Sequence, residues 1–332
     1  MSNNIKEVNE RDEVLLKEID SFINRSTYSD YMQTIEWKKI RNETNKYALY
    51  KKENNKIVCF SILLEKKDNN NQTYLYAPRG PVLDYTNLEN LHKYLIDIKE
   101  FLKEKKIKKI VINPKIEKIE IEKIKDNIYF VEKKEKYDFD NLLESTRNAL
   151  LELYNNEDEF LMKMDSKTRY NIRRAQRKGM ILEITEKIDI NDFMPLYKQT
   201  AERHDFKMHN EEYFRNMLDV YKNKIICCTI KYNNIPLAMS INIKHKDTLE
   251  YVYGVSSNNN RELMPCYLLH WSMIKYAKEN KFRYYNFGGV HCKEGDKENK
   301  DYGLMIFKSK FCINGFKEYE PDLEITFDNR GK

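Results

Sequence analysis

The sequence predicts an α/β protein, α+β in finer terms, made of two like-built domains in tandem. Three observations predict it. The chain has 332 residues, enough for two ordinary cores. Hydrophobic residues make up 41% and aromatic residues 12%, which suits globular packing rather than disorder. Finally, one succession of elements occurs twice, the mark of an internal duplication.

In the first half, apolar runs at 47–51 and 57–64 read as strands about the turn Glu53-Asn54-Asn55-Lys56, because asparagine tolerates the left-handed backbone of tight hairpins. A third run, 73–77, leads into Pro78-Arg79-Gly80-Pro81. Leu88, Leu91, Leu95, Ile98 and Leu102 then recur at helical spacing, and a strand at 110–112 closes the unit at Asn113-Pro114. The second half repeats the order: strands at 225–232 and 237–243 about Asn233-Asn234, a third at 249–255, and a polar loop. A helix marked by Leu268, Trp271 and Ile274 follows, then a strand at 284–287 ending in Gly288-Gly289. Helical segments precede each hairpin, at 14–23 in the first half and at 160–178 and 190–221 in the second. The expected domains are 1–148 and 149–317, with 139–158 as the passage between them. The tail 318–332 carries a strand-like Glu324-Ile325-Thr326-Phe327 and is expected to return to the first domain. Hairpin, strand, loop, helix, strand is the core of the GNAT acyltransferase fold, whose mixed sheet splays at its middle and opens a cleft. Two tandem GNAT-like domains are therefore expected, without a coiled-coil arm, since no long heptad run interrupts the second half.

Charge and cysteine usage bound the function loosely. The formal net charge of +6 suits RNA, an anionic membrane surface or a phosphorylated small molecule, and does not choose among them. Cys59, Cys227, Cys228, Cys266, Cys292 and Cys312 form no C-x-x-C pair, as expected of a reduced cytoplasmic protein. His92, His204, His209, His245, His270 and His291 lack metal-ligand spacing, so no metal site is expected. The polar start MSNNIKEVNERDEV cannot serve as a signal peptide's apolar segment. No run approaches the roughly 20 apolar residues that span a bilayer. The expectation is a monomer, open to peripheral contact with the inner membrane surface.

Four segments carry chemistry. In 165–179, Lys167, Arg169, Arg173, Arg174, Arg177 and Lys178 follow Asp165 with no further acid. Asp165 or Ser166 suits the N-cap and Gly179 the C′ position. Arg169, Arg173 and Arg177 fall on one stripe, and Tyr170 is available for stacking. Such a helix fits nucleic-acid phosphates and equally a solvated face. In 284–290, paired glycines after a strand permit close approach of a ligand or another backbone. Downstream, Lys308 stands between Phe307 and Phe311. It could stabilise an oxyanion or simply snorkel over an aromatic core. Tyr251 and Tyr253, at period two, are read onto one face of a strand, as packing or as cleft lining. Glu202, Arg203 and His204 look like an acid–base set, but consecutive helical residues diverge, so a structural ion pair is the plainer reading. A GNAT acetyltransferase also needs a glycine-rich loop to cradle the coenzyme A pyrophosphate. The corresponding loop, 257–265, has no glycine.

In this order and spacing the segments resemble the FemABX family of aminoacyl-tRNA-dependent peptidoglycan peptidyltransferases. The resemblance rests on S-K-T-R-x-N-I-R-R-A at 166–175, T-A-E-R-H at 200–204 with Tyr213-Phe214, and Y-x-Y-G at 251–254. It extends to Y-N-F-G-G at 285–289, G-L-x-x-F-K at 303–308, Gln33-x-x-x-Trp37-x-Lys39 and Tyr76-Ala77-Pro78-Arg79-Gly80-Pro81. It covers about residues 30 to 320 and points to the compact, arm-less branch. It implies an aminoacyl-tRNA donor, a peptidoglycan precursor as acceptor (UDP-MurNAc-pentapeptide or lipid II), and no cofactor. Lys39 and Tyr213 would bind the precursor, with Tyr251 and Tyr253 lining the same channel, and Phe307 and Lys308 would stand at the transfer centre. The chain departs from the branch at two expected substrate positions. His209 stands where an arginine grips the precursor's phosphate, and Asn113 where an aspartate ends the first domain's last strand. The rival readings are a GNAT-type N-acyltransferase using acyl-CoA, and a non-catalytic RNA- or membrane-binding module using the basic helix alone.

Overall fold

A computed structural model describes residues 5–120, 129–136, 143–153 and 156–327. The chain divides into two compact units, 1–146 with 318–332, and 147–317. The first contains β1 (Ile5–Glu7), α1 (Glu13–Arg25), α2 (Ile35–Ile40), β2 (Lys46–Glu53), β3 (Lys56–Lys67), β4 (Thr73–Ala77), α3 (Glu89–Glu104), β5 (Lys109–Ile112) and β6 (Tyr129–Lys133). The second runs through β7 (Arg147–Glu152), α4 (Glu157–Lys163), α5 (Ser166–Gln176), β8 (Ile181–Thr185), α6 (Ile190–His204) and α7 (Glu211–Tyr221). It continues with β9 (Ile225–Tyr232), β10 (Ile235–His245), β11 (Thr248–Ser256), α8 (Pro265–Glu279), β12 (Tyr284–Gly289) and α9 (Tyr302–Ser309). Two strands end the described chain, β13 (Lys317–Glu318) and β14 (Leu323–Phe327). Among the described residues, no helix is long and apolar enough to cross a membrane, and no helical arm separates α6 from α9 in the second unit.

Each unit builds a seven-stranded sheet, in the orders β1-β2-β3-β4-β5-β14-β6 and β13-β7-β12-β11-β10-β9-β8. The duplication is plain in the pairings. Antiparallel β2–β3–β4 leads through α3 to β5, which lies parallel to β4. Antiparallel β9–β10–β11 leads through α8 to β12, parallel to β11. Both hairpin turns use left-handed asparagine pairs, Asn54-Asn55 and Asn233-Asn234, as two-residue loops require. The periodic leucines of α3 pack on Leu63, Leu75, Ile110 and Ile112. Leu268, Trp271 and Ile274 of α8 share the second core with Ile172 and Ala175 of α5 and with Leu249 and Tyr285.

Three features differ from the sequence reading. The expected passage 139–158 lies partly outside the described residues, and its middle is β7, a strand paired antiparallel with β12. Its run Arg147-Asn148-Ala149-Leu150-Leu151-Glu152 is too short to separate strand from linker by periodicity. The edge strands β1 and β8 also lacked a pattern; β8 buries no residue, so no alternation marks it. In the basic helix, the left-handed residue Gly179 (φ +68) lies two positions past the C-cap Arg177, one later than expected.

Beyond β4 and β5 the first unit is filled by its own polar side chains. Arg79, buried with φ +52, donates to Asn113 Oδ1 at 2.9 Å and to the Ser145 carbonyl at 2.8 Å. Asn113 Nδ2 donates to Asp322 Oδ1 at 2.8 Å, while Leu143 N–H donates to Asp322 Oδ2 at 2.7 Å. Burial is the main cause that raises the Asp322 pKa to about 6, and Glu144 nearby adds to it. Gln33 braces the preceding loop: its Nε2 donates to the Pro78 carbonyl at 2.7 Å, and its Oε1 accepts from Ile62 N–H at 2.8 Å. A Cβ at Gly80 would stand 2.4 Å from Gln33 Cδ, so Gln33 and Gly80 of the sequence motif form one packing unit.

Candidate functional site

The parallel pairing of β11 with β12 ends at Glu250 and Asn286, after which the strands part. Lys308 enters beside this opening from α9. Its side chain is 7% exposed, and its Nζ donates to the Gly289 carbonyl at 2.6 Å. Gly288 has φ +84, a backbone conformation that favours glycine, and a Cβ built there would stand in ordinary contact with that Nζ at 3.9 Å. Lys308 is thus interior rather than snorkelling. Burial lowers its pKa to about 8, with Cys312 and Asp301 opposing the shift. One ammonium proton serves Gly289, and two remain to be directed at a ligand oxygen.

Around Lys308 stands an aromatic wall that includes a histidine the sequence reading did not single out. His270 of α8 is 4% exposed, with Nδ1 3.1 Å from the Tyr285 hydroxyl. Its ring centroid lies 4.7 Å from Tyr251, 4.8 Å from Phe287 and 5.4 Å from Phe307. Burial, and then the charge of Lys308, push its pKa down to about 3, so this imidazole stays neutral. A signal was present in the sequence, where His270 sits inside the largely apolar run Leu268-Leu269-His270-Trp271-Ser272-Met273-Ile274; the structure buries the whole run.

The structure separates Tyr251 from Tyr253, contrary to the period-two reading. Asn242 pairs with Tyr251 and the adjacent Ile241 pairs with Tyr253, leaving Val252 as a bulge. One extra residue reverses the faces that follow it. Tyr251 therefore joins His270, while Tyr253 points to α6 and α7. There its hydroxyl lies 2.9 Å from that of Tyr213. His209 stacks its ring on Tyr213 at 4.0 Å between centroids, with 12° between planes, and its backbone N–H donates to the Tyr197 hydroxyl at 3.4 Å. His209, Tyr213 and Tyr253 thus form one group, and Lys308, Phe307 and Tyr251 another.

The Tyr251 hydroxyl occupies the space over Gly254: a Cβ there would stand 1.4 Å from it, against a ring held by its neighbours. Gly254→Ala should therefore cost about 3 kcal/mol through overpacking and lower Tm by roughly 6–12 °C. Calorimetry checks this; an unchanged Tm would mean that Tyr251 swings away freely.

Lys39 is exposed on α2, and Asn113 is wholly buried in the Arg79–Asp322 network, both in the first unit. Lys167 and Arg173 on α5, and Arg177 and Lys178 just past its end, are exposed, and Arg174 is half-buried. Arg169 leaves the expected stripe, because its guanidinium turns back to the carbonyls of Met162 at 3.4 Å and Met164, capping α4. Arg203 does not pair with Glu202. It holds the loop after β11, donating to Ser256 Oγ at 2.9 Å and Asn258 Oδ1 at 2.5 Å. That loop enters α8 through Met264 and Pro265, and proline offers no N–H to a pyrophosphate.

Residues 14–234 and 228–318 match the sequence model of the FemAB family. The lipid II:glycine glycyltransferase of Staphylococcus aureus (strain MRSA252) is 24% identical over 367 aligned residues, spanning 88% of this chain and 87% of that one. The crystal structure of FemX superposes with a TM-score of 0.80 at 21% identity, covering 93% of this chain and 95% of that one. A tandem GNAT protein of the clavulanic acid pathway superposes with a TM-score of 0.56 at 7% identity, covering 99% of each. Both superpositions establish a shared fold of two GNAT-like domains.

Proposed function

Since the chain belongs to the FemAB family, we propose that it transfers an amino acid from an aminoacyl-tRNA to the stem-peptide amine of a peptidoglycan precursor, building the interpeptide bridge. The observation that carries this reading is Lys308, a buried ammonium at the parting of β11 and β12, held by one backbone carbonyl. The acceptor side draws support from the S. aureus relatives, which are lipid II:glycine glycyltransferases.

The donor ester is already activated, so the enzyme's work is to position two partners and to stabilise charge. The acceptor amine attacks the ester carbonyl, and the tetrahedral oxyanion accepts hydrogen bonds from the remaining two Lys308 N–H groups. Collapse breaks the bond to the ribose oxygen, which leaves as a hydroxyl carrying the proton that the attacking nitrogen gives up. Phe307, half-buried beside His270, shields this step from water. His209, Tyr213 and Tyr253 offer a stacked, hydroxyl-rich surface for the precursor's polar groups. Lys167, Arg173, Arg174, Arg177 and Lys178 supply phosphate contacts for the donor. The glycine-free entry to α8 argues against acyl-CoA.

The test is to offer charged tRNAs of several identities with UDP-MurNAc-pentapeptide and with lipid II, and to weigh the products. A precursor heavier by one aminoacyl residue is expected. Product formation from acyl-CoA alone, with none from charged tRNA, would overturn the proposal.

A further inference from the structure

We propose that the outer face of α5 holds the single-stranded 3′ segment of the donor RNA, with Tyr170 as the platform on which one base stacks. The inference rests on the reading of the donor as an aminoacyl-tRNA and adds which part of that molecule the helix takes.

Tyr170 is 61% exposed, large for an aromatic ring, and among the described residues it has no aromatic or hydrogen-bond partner. It sits one turn from Lys167 on one side and from Arg173 and Arg174 on the other, spacings that share a helix face. The opposite side, Thr168, Asn171, Ile172 and Ala175, is buried. No acid competes on α5. The preceding Asp165 is consumed locally: it accepts from Thr168 N–H at 2.8 Å and from its hydroxyl at 2.9 Å, and lies 3.4 Å from Lys310 Nζ.

An exposed ring among cations has a specific use. Phosphates alone would satisfy the arginines in a duplex, but a duplex hides its base faces, so the ring would lie idle. In a single strand each base offers a π-face, and stacking then adds to the phosphate contacts. An anionic bilayer fits less well, because a helix that enters a membrane interface does so by its apolar side, and that side of α5 is already in the core. The placement also gives the strand a destination. The Asp165–Lys310 pair joins the start of α5 to the residue that follows α9, the helix carrying Lys308. With 11 residues, α5 is about 16 Å long, room for a few nucleotides that end near α9.

Fluorescence anisotropy with the full chain tests this, using a short labelled single-stranded RNA of mixed sequence, the same strand annealed to its complement, and phosphatidylglycerol vesicles. Tyr170→Ala is expected to weaken single-strand binding by about 5- to 100-fold, with duplex binding and the salt slope nearly unchanged. Tyr170→Trp should restore it. In transfer assays Tyr170→Ala should raise KM for charged tRNA and leave KM for the precursor alone. Equal losses for single strand and duplex, no loss at all, or tight vesicle binding abolished by Tyr170→Ala would each overturn the inference. Its failure is separable from that of the parent reading. A wild-type enzyme that transfers from charged tRNA with KM indifferent to Tyr170 keeps the reaction and loses the platform. Tyr170-dependent single-strand binding without transfer from any charged tRNA does the reverse.

Discussion

Lys308→Met is expected to lower kcat for aminoacyl transfer by about 10²- to 10³-fold, the size of effect seen when one oxyanion donor is removed, while leaving precursor affinity in place. Methionine matches the lysine in length and buries no charge, and exchanging a buried ion for an apolar side chain seldom costs stability when no opposite charge is orphaned. Here the ammonium's partner is a neutral carbonyl, Gly289 O. The Met variant should therefore fold, and its defect should be chemical. Arginine should not rescue, since its planar fork cannot fill a slot shaped for a point charge beside Gly288. The pH dependence follows from the lowered pKa. Lys308 is charged below about 8 and neutral above it, so a role as cation predicts that wild-type kcat falls as pH rises through about 8. A lysine acting as base would give the opposite limb. Rapid-quench transfer assays from pH 6 to 9.5 on both proteins separate these cases, and undiminished turnover in the Met variant would remove Lys308 from the chemistry.

Reversing Lys167, Arg173, Arg177 and Lys178 to glutamate is expected to weaken tRNA binding by roughly 10²- to 10³-fold at low salt. The slope of log affinity against log salt should flatten by about 0.7–0.9 per lost phosphate contact. Arg169 is left in place, because it caps the carbonyls at the end of α4 and its loss would confuse folding with binding. The four chosen side chains are exposed, and surface substitutions of this kind change stability by only a few tenths of a kcal/mol. Binding isotherms at several salt concentrations provide the measurement. An unchanged affinity and slope would make the patch a solvated face.

Much of the fold was legible because its signals were local. Asn54-Asn55 and Asn233-Asn234 marked the hairpins, and the leucines of α3 and α8 marked the crossover helices. Elements failed to show where burial leaves no alternation, as in β8, or where the run is too short, as in β7. At the site, Lys308 was legible as a lysine among aromatics, but its burial was not, because that depends on where α9 meets β12. The opposed faces of Tyr251 and Tyr253 hinge on the bulge at Val252, which no residue preference announces. Arg169 was assigned to the outer stripe on helical geometry alone. The reach of its side chain to the turn before it is a tertiary fact, and so is the enclosure of Asn113 between Arg79 and Asp322.

The place of β14 has a consequence for biogenesis. It lies between β5 and β6 and pairs with both, so an interior strand of the first unit is encoded after the whole of the second. During vectorial synthesis the contiguous stretch 147–317 can condense while the earlier sheet still waits for its keystone. The first unit, begun earlier, is then completed later, and a nascent chain stalled between residues 113 and 322 presents an open β5 edge to the chaperones that meet it.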